Sequence, residues 1–368
     1  MDPFAIRYTS GPRLGAACTS VSDMKTPRLA VAALIAVATL LTGCAGSPAA
    51  TQSPSAVEPR PSATSTPTPE PAQAAVPFDG DCARVLPADV LADVFDGEEP
   101  TVREQSYLRG VMPDPSGSLA QLGGLACVWV AEASQIKRVA VVVAPAEVVP
   151  AELVAAREAY SCYGWGVCGR GEIRSGMWVL AEVPQLQQRE AASPEETELL
   201  TAAVDTAIQS VFGHGQEEFT GTPAVRAEDW WELPACDVFE SAVATAAGMT
   251  APEPGFPGDN VPEGPTWDII RAAEVAQWCP WYDLSSGSAR IAELYLQAGV
   301  GAPSDAQLAV AEATPITMPG ADAAYRFARD GLSARSVEVL VVVGPNRLLA
   351  AGDDAEAVAA AALELLAG

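Results

Sequence analysis

Eight cysteines, a single histidine and a large excess of carboxylates are the groups that could do chemistry in this 368-residue chain. A thiol can pair, ligate a metal, carry a lipid or act as a nucleophile, and the spacing of each cysteine bears on which it does. The lone histidine, His214, lies between Gly213 and Gly215. It argues against a Ser-His-Asp enzyme and against a poly-histidine metal site. Its place past an expected helix end predicts an exposed residue that interacts with the helix dipole. Ser161 has no base near it in sequence, and there is no Gly-x-Ser-x-Gly elbow. No phosphate-cradling Gly-Lys-Ser/Thr loop is present, and Lys137 is the only lysine after Lys25. Carboxylates are too abundant for any pair to stand out, and a glycosidase pair is defined by a separation in space. The loop from Glu253 to Glu263 gathers Asp259 and Asn260 with those two glutamates. Such oxygens could hold Ca²⁺, but their spacing fits no known loop motif, so a solvated loop is expected. No catalytic residue, metal ligand or cofactor is expected.

With Cys18 and Cys44 set aside, Cys82, Cys127, Cys162, Cys168, Cys236 and Cys279 remain. Six cysteines admit fifteen pairings. Cys82 and Cys127 are 45 positions apart and Cys236 and Cys279 are 43 apart, with Trp129 and Trp281 each two residues on. This near-repeat suggests one bridge in each half, 82–127 and 236–279, with 162–168 as a local staple. Zinc is disfavoured, because no Cys-x-x-Cys knuckle exists and the histidine is isolated. A redox role for Cys162 and Cys168 is the other reading, although the glycine-rich spacer between them looks like a stapled hairpin.

Residues Leu29 to Leu41 form an apolar run of 13 residues, preceded by Lys25 and Arg28. That is short for a bilayer span and suits the core of a signal peptide. The run ends in Leu41-Thr42-Gly43-Cys44, which resembles the bacterial lipobox, where a cysteine is diacylated on sulfur and the peptide before it removed. The resemblance implies lipidation of Cys44, a leader over 1–43 and an anchor at the outer face of the cytoplasmic membrane. Translation from Met24 would give a normal short positive region, so Met24 is the expected start. Two or more acyl chains hold a protein firmly at a membrane where one does not.

Residues 45–77 contain eight prolines with many Ser and Thr and almost no large apolar side chains. Such a segment does not bury enough surface to offset its ordering entropy. A disordered tether over 44–77 is expected, reaching roughly 100 Å if extended at ~3.1 Å per residue. The whole chain is 49% hydrophobic, which excludes wholesale disorder, and the length suggests about two domains. The net charge of −26 argues against nucleic acid as a partner. It also means that attachment to anionic lipid must rest on the anchor.

The elements repeat in the two halves. Val85 to Phe95 and Val238 to Ala247 read as amphipathic helices stopped by Gly97 and Gly248. A long polar or Pro/Gly-rich connection follows in each half, then the Cys-x-Trp strand, then a strand at Val139–Val143 or Ile291–Leu296. Helices are expected near Pro150–Tyr160 and Ser304–Glu312. Further strands are expected at Met177–Val183, Ala324–Ala328, Val337–Val343 and Arg347–Ala350, with a turn at Gly344-Pro345-Asn346. Ser193, Pro194 and Glu196 form a capping box for a helix with one apolar face, and Asp353 to Glu356 open the last helix in the same way. The fold class is α+β: two tandem related domains, 78–213 and 229–368, each an antiparallel sheet packed with helices and stapled by a disulfide. A linker over 214–228 joins them. Trp129 and Trp281 are expected in cores, and Trp230-Trp231 at the domain junction.

This organisation resembles a class of actinobacterial cell-envelope lipoproteins with a lipobox, a Pro/Ser/Thr tether and a Cys…Cys-x-Trp domain. The matching positions are Asp81-Cys82 with Cys127-Val128-Trp129, and Ala235-Cys236 with Cys279-Pro280-Trp281. The second half has no match to Cys162 and Cys168. The resemblance implies disulfides at those cysteines and no catalytic residues. The expected function is a non-enzymatic, lipid-anchored module that binds a ligand or a protein partner of the envelope. The alternatives are a glycan-type hydrolase working with paired carboxylates, or a structural or sensory module.

Overall fold

The computed structural model describes residues 73–102, 115–163, 166–186, 193–255, 264–285, 290–328, 337–352 and 354–367. Leu41, Thr42, Gly43 and Cys44 lie outside them, as do Trp165, Asp259, Asn260, Glu263 and Asp353.

The first half runs α1 (Cys82–Val85), α2 (Ala88–Val94), β1 (Thr101–Val102), α3 (Ser116–Gln121), β2 (Leu125–Val130) and β3 (Arg138–Pro145). It continues with α4 (Ala151–Ala156), β4 (Ser161–Tyr163), β5 (Val167–Arg174), β6 (Met177–Pro184) and α5 (Pro194–Gly213). After α6 (Gln216–Phe219) the second half runs α7 (Asp237–Ala246), β7 (Glu253–Pro254), α8 (Pro265–Ala272), β8 (Ala276–Asp283) and β9 (Arg290–Gln297). It ends with α9 (Asp305–Val310), β10 (Thr314–Ile316), β11 (Ala323–Ala328), β12 (Val337–Val343), β13 (Asn346–Gly352) and α10 (Ala355–Ala367).

The result is a mixed helix and sheet fold with two antiparallel sheets. Among the described residues the strand orders are β1-β2-β3-β6-β5-β4 and β7-β8-β9-β13-β12-β11-β10. The two orders follow the same sequence. Each opens on a two-residue strand, passes the Cys-x-Trp strand and its neighbour, then takes the last strand of its half before the penultimate one.

Each sheet has a helix-covered face. On the first, α5 presents Leu200, Val204, Ile208 and Val211 to a core holding Trp129, Val139, Val141 and Val179. On the second, α10 and α7 cover Trp281, Leu294, Val339 and Leu348. The opposite faces share a third core, in which Leu119, Val142, Trp178 and Leu180 join Trp267, Ile270, Tyr295, Leu340 and Leu349. Burial on both sides explains the continuous valine run of β3, since a half-exposed strand would alternate with polar residues. The described residues therefore belong to one compact unit with the two sheets back to back.

Three disulfides staple it: Cys82–Cys127 ties α1 to β2, Cys236–Cys279 ties the start of α7 to β8, and Cys162–Cys168 crosses the β4–β5 hairpin at directly paired positions. Gly97 and Gly248 stop their helices at φ 82° and 62°, in the left-handed region that glycine enters without strain.

Several elements differ from expectation. The helix expected over Val85–Phe95 is two helices, because Pro87 holds Leu86 extended and cannot donate to a continuing helix. Both long connections carry a helix, α3 and α8, just before the Cys-x-Trp strand. Strand β5, which pairs with β4 across the stapled hairpin and with β6, is not among the strands expected from the sequence. Gly171 is needed there because a Cβ would stand 2.5 Å from the Trp178 indole nitrogen. The segment expected as tether up to 77 is already engaged, since Ala75 exchanges backbone hydrogen bonds with Thr222 at 3.0 and 2.8 Å. That pairing runs through the stretch expected as a linker, which also contains α6.

Ser193 caps α5 by accepting the Glu196 N–H at 3.1 Å. The Glu196 carboxylate accepts the Leu186 N–H at 2.7 Å, fastening the incoming chain to the helix. The reciprocal box is found at α9, where Ser304 and Gln307 cap each other.

Candidate functional site

The joint between the two sheets opens into a cleft of about 440 Å³. Strand alternation builds its floor. In β9, Leu294 and Leu296 face the helix-covered core, so Tyr295 and Gln297 face the joint; in β13, Leu348 and Ala350 face the core and Arg347 and Leu349 face the joint. The register places Leu349 between Leu340 and Tyr295 on neighbouring strands, and Arg347 opposite Gln297. The floor is thus an apolar row, Leu340–Leu349–Tyr295, beside a polar rung two residues away. Helix α3 forms the facing wall with Ser116, Gly117, Ala120 and Gln121, and Leu125 and Ala126 of β2 extend it.

The two walls are locked to each other. Gln297 donates from Nε2 to Ser118 Oγ at 3.0 Å in a buried contact between residues 179 apart in sequence. Gly117 packs against Val300 so closely that an added Cβ would come within 2.8 Å of it. Arg347 donates from Nε to the Gly301 carbonyl and from a terminal nitrogen to the Val300 carbonyl at 3.5 Å, which anchors the rim loop after β9. A second groove of about 460 Å³ adjoins the first, sharing Val76, Ala120, Gln121 and Val300, and running under Trp230 and Gln73.

Charge in the cleft runs against the composition of the chain. Asp79 is the one carboxylate among the described lining residues; its side chain is 89% exposed and is paired with Arg84 at 2.6 Å. Among the described lining residues Arg347 is the one cation.

A second polar cluster lies deeper on the first sheet. Glu182 of β6 points to the same side as Leu180 and Trp178 and is 8% exposed. Burial pushes its carboxyl up to about 7, against the opposing pull of Arg138 and Arg157. Its Oε1 has no hydrogen-bond partner. Arg157 sits 3.2 Å over the Tyr163 ring and feels Asp268 of α8 as well as Glu182.

The singled-out residues fall as follows. Cys82 forms its disulfide at one end of the cleft, while the other bridges lie outside the lining. Trp129 and Trp281 are buried in separate helix-covered cores. Trp230 packs on Gly299 and against the shared core at the joint, whereas Trp231, whose N–H is accepted by Asn346 Oδ1 at 2.9 Å, packs against the helix-covered core of the second sheet. His214 is not the exposed residue expected: its ring meets Phe78 edge-on at 5.0 Å and is only 19% exposed. Glu253 accepts a hydrogen bond from Tyr282 at 2.6 Å. Among the described residues no group of three His, Cys, Asp or Glu is placed to hold a metal ion, and no helix is long and apolar enough to cross a membrane.

Arg347, Gln297 and Tyr295 were not singled out from the sequence. Their signal was present in the period-2 pattern of β9 and β13, which sets them on the face opposite the leucines. Nothing local showed that this face meets a second sheet. No known protein family, curated protein or solved structure matches the chain.

Proposed function

We propose that this chain is an exported, lipid-anchored binding module made of two related α+β repeats, with its ligand site in the cleft where the repeats meet. The observation that carries the reading is that cleft. It has an apolar floor, a small number of fixed polar groups and a volume of about 440 Å³, within the range of about 300–1,000 Å³ common for small-molecule sites. The shared strand order supports the two repeats. The three disulfides support maturation in an oxidising compartment, where such bonds persist. Lipidation at Cys44 rests on the lipobox and would place the body at the outer membrane face on its proline-rich tether. Binding is favoured over paired-carboxylate hydrolysis because, among the described residues, the cleft lining brings only Asp79, and Asp79 faces solvent.

The test has two arms. Export of the full chain in a bacterial host should place it in the membrane fraction, and Cys44→Ser should release it. A fragment library screened by NMR against the oxidised Cys44→Ser chain should shift signals of Tyr295, Leu340 and Leu349. Membrane retention of Cys44→Ser would refute the anchor, and a library that leaves those three signals unmoved would refute the site.

A further inference from the structure

We infer that the groove under Trp230 is the docking site of this chain's own proline-rich segment, residues 67–72. The inference does not depend on a ligand in the neighbouring cleft. The first support is the path of the chain. Gln73, Ala74 and Val76 already form part of the groove lining. Ala75 exchanges both backbone hydrogen bonds with Thr222 in an antiparallel bridge. In that register each step back from Ala75 moves one step on from Thr222. Gln73 then falls beside Ala224, Pro71 beside Arg226 and Pro69 beside Glu228. The upstream chain is thereby aimed along the wall made by Ala224, Val225 and Ala227.

The second support is the pattern of donors. A continuing strand would need the Ala224 N–H, but the Gln121 carbonyl accepts it at 2.8 Å. The ladder therefore stops after one bridge. The next positions that would donate across are 71, 69 and 67, and all three are proline, which has no N–H to leave unsatisfied. Such a segment packs by its rings and gives its carbonyls to side-chain donors, as polyproline segments do in aromatic-lined grooves.

The groove has the parts for that mode. Trp230 supplies the aromatic ring, beside the apolar Val225, Val300 and Pro345. Neither the Trp230 indole N–H nor the Gln121 amide donates to a group among the described residues. Val225 is 60% exposed, an apolar surface left open. The polar lining consists of Gln73, Gln121 and Asp229, and Asp229 is exposed. Glu70, the one charge of the segment, falls next to Arg226, which has no ion pair among the described residues. Weak contacts are sufficient here. The segment is joined to the anchored Ala75, so its effective concentration at the groove is on the order of millimolar. With the anchor proposed at Cys44, docking leaves residues 45–66 as free tether, roughly 70 Å at ~3.1 Å per residue.

The experiment is NMR on the oxidised Cys44→Ser chain. The rings of Pro67, Pro69 and Pro71 should give NOEs to the Trp230 indole. The Thr68, Glu70 and Ala72 amides should have order parameters of about 0.85, as in rigid backbone, and those of Thr51 and Ser55 should lie below about 0.6. Val225→Asp, at a side chain that the cores do not use, should remove the NOEs and bring Thr68, Glu70 and Ala72 below about 0.6. So should the combined Pro67→Ser, Pro69→Ser and Pro71→Ser variant, which leaves every described residue unchanged. In that triple variant a millimolar peptide Thr-Pro-Thr-Pro-Glu-Pro-Ala should shift the Trp230 indole signal with saturation, and in the parent it should not. Absence of the NOEs in the parent, or order parameters there below about 0.6 at Thr68, Glu70 and Ala72, would overturn the inference. NOEs and order that survive both variants would do the same, as would a triple variant whose Trp230 signal the peptide does not move. A saturable shift of Trp230 by the peptide in the parent would show a groove open to a partner and not held by the tether, and that too overturns it.

Discussion

Replacing Glu182 by glutamine should make this protein more stable at neutral and alkaline pH. Glu182 is 8% exposed on the face where the two sheets meet, and its Oε1 is left without a partner. Loss of hydration is the larger effect on this carboxyl. It outweighs the attraction of Arg138 and Arg157 and moves the carboxyl from 4.5 to about 7. A folded-state value above the unfolded one means that the folded chain holds the proton more tightly. The contribution is therefore complete below about pH 4.5 and is lost as pH rises through about 7. At about 1.4 kcal/mol per unit, the shift corresponds to about 3 kcal/mol lost between those limits. Water entering the joint on ionisation would reduce this, so the expected gain of Glu182→Gln at pH 8 is about 1–3 kcal/mol. At pH 4.5 glutamine and the protonated glutamate carry the same charge, and the two proteins should be nearly equal. The assay is urea unfolding of oxidised parent and variant, followed by tryptophan fluorescence from pH 4.5 to 8.5. The readout is the difference between the two curves, because every other carboxylate contributes equally to both. A variant less stable than the parent at pH 8, or a difference that does not change with pH, would refute the reasoning.

The disulfides should rank by the loops they close. Removing Cys82–Cys127 by a double serine substitution should cost about 2 kcal/mol more than removing Cys162–Cys168, from the loop-length dependence of closure entropy, as measured by chemical denaturation. Gly221→Ala should unfold the protein or lower its melting temperature sharply, since the new Cβ would lie 1.8 Å from the Gly123 carbonyl oxygen. Gly213→Ala, with open space around it, should instead be neutral or stabilising by up to about 1 kcal/mol in the same thermal melt. Ser304→Ala should cost about 1 kcal/mol by removing the reciprocal cap of α9, and equal stability by urea titration would show that the cap is dispensable. Asp283→Asn should weaken the protein at neutral pH. The Ser285 hydroxyl and three backbone N–H groups hold that carboxyl well below the usual range, so the parent's advantage should fade only in strong acid.

The legible parts of the fold were those governed by near neighbours. The valine runs of β3 and β12, the alternation of β9 and the stops at Gly97 and Gly248 all reflect what a few adjacent residues do to the backbone. The cysteine pairing was legible for a different reason: the two 43–45-residue loops end in the same Cys-x-Trp pattern. Helices α3 and α8 were hidden because each is short and lies within polar, Pro/Gly-rich sequence. Pro265 at the first position of α8, with Trp267, Ile269 and Ile270 buried behind it, is a local helix-start signal within that stretch. The split at Pro87 was equally local.

The sequence by itself determined the pattern of the N-terminal stretch and the staples: an apolar run from Leu29 to Leu41 ahead of Cys44, a proline-rich stretch, and cysteines spaced for one bridge per half. It also determined which residues alternate on each strand. Only the tertiary structure decided what those faces meet. Ser118 and Gln297, Leu180 and Leu340, and Gly117 and Val300 are brought into one joint from opposite halves of the chain. The cleft, the position of Arg347 within it and the displaced proton affinity of Glu182 all arise from that joint. The physical reason is range. Backbone preference and capping act over a few residues, whereas burial and the field of distant charges depend on which surfaces come together, and no local pattern encodes that choice.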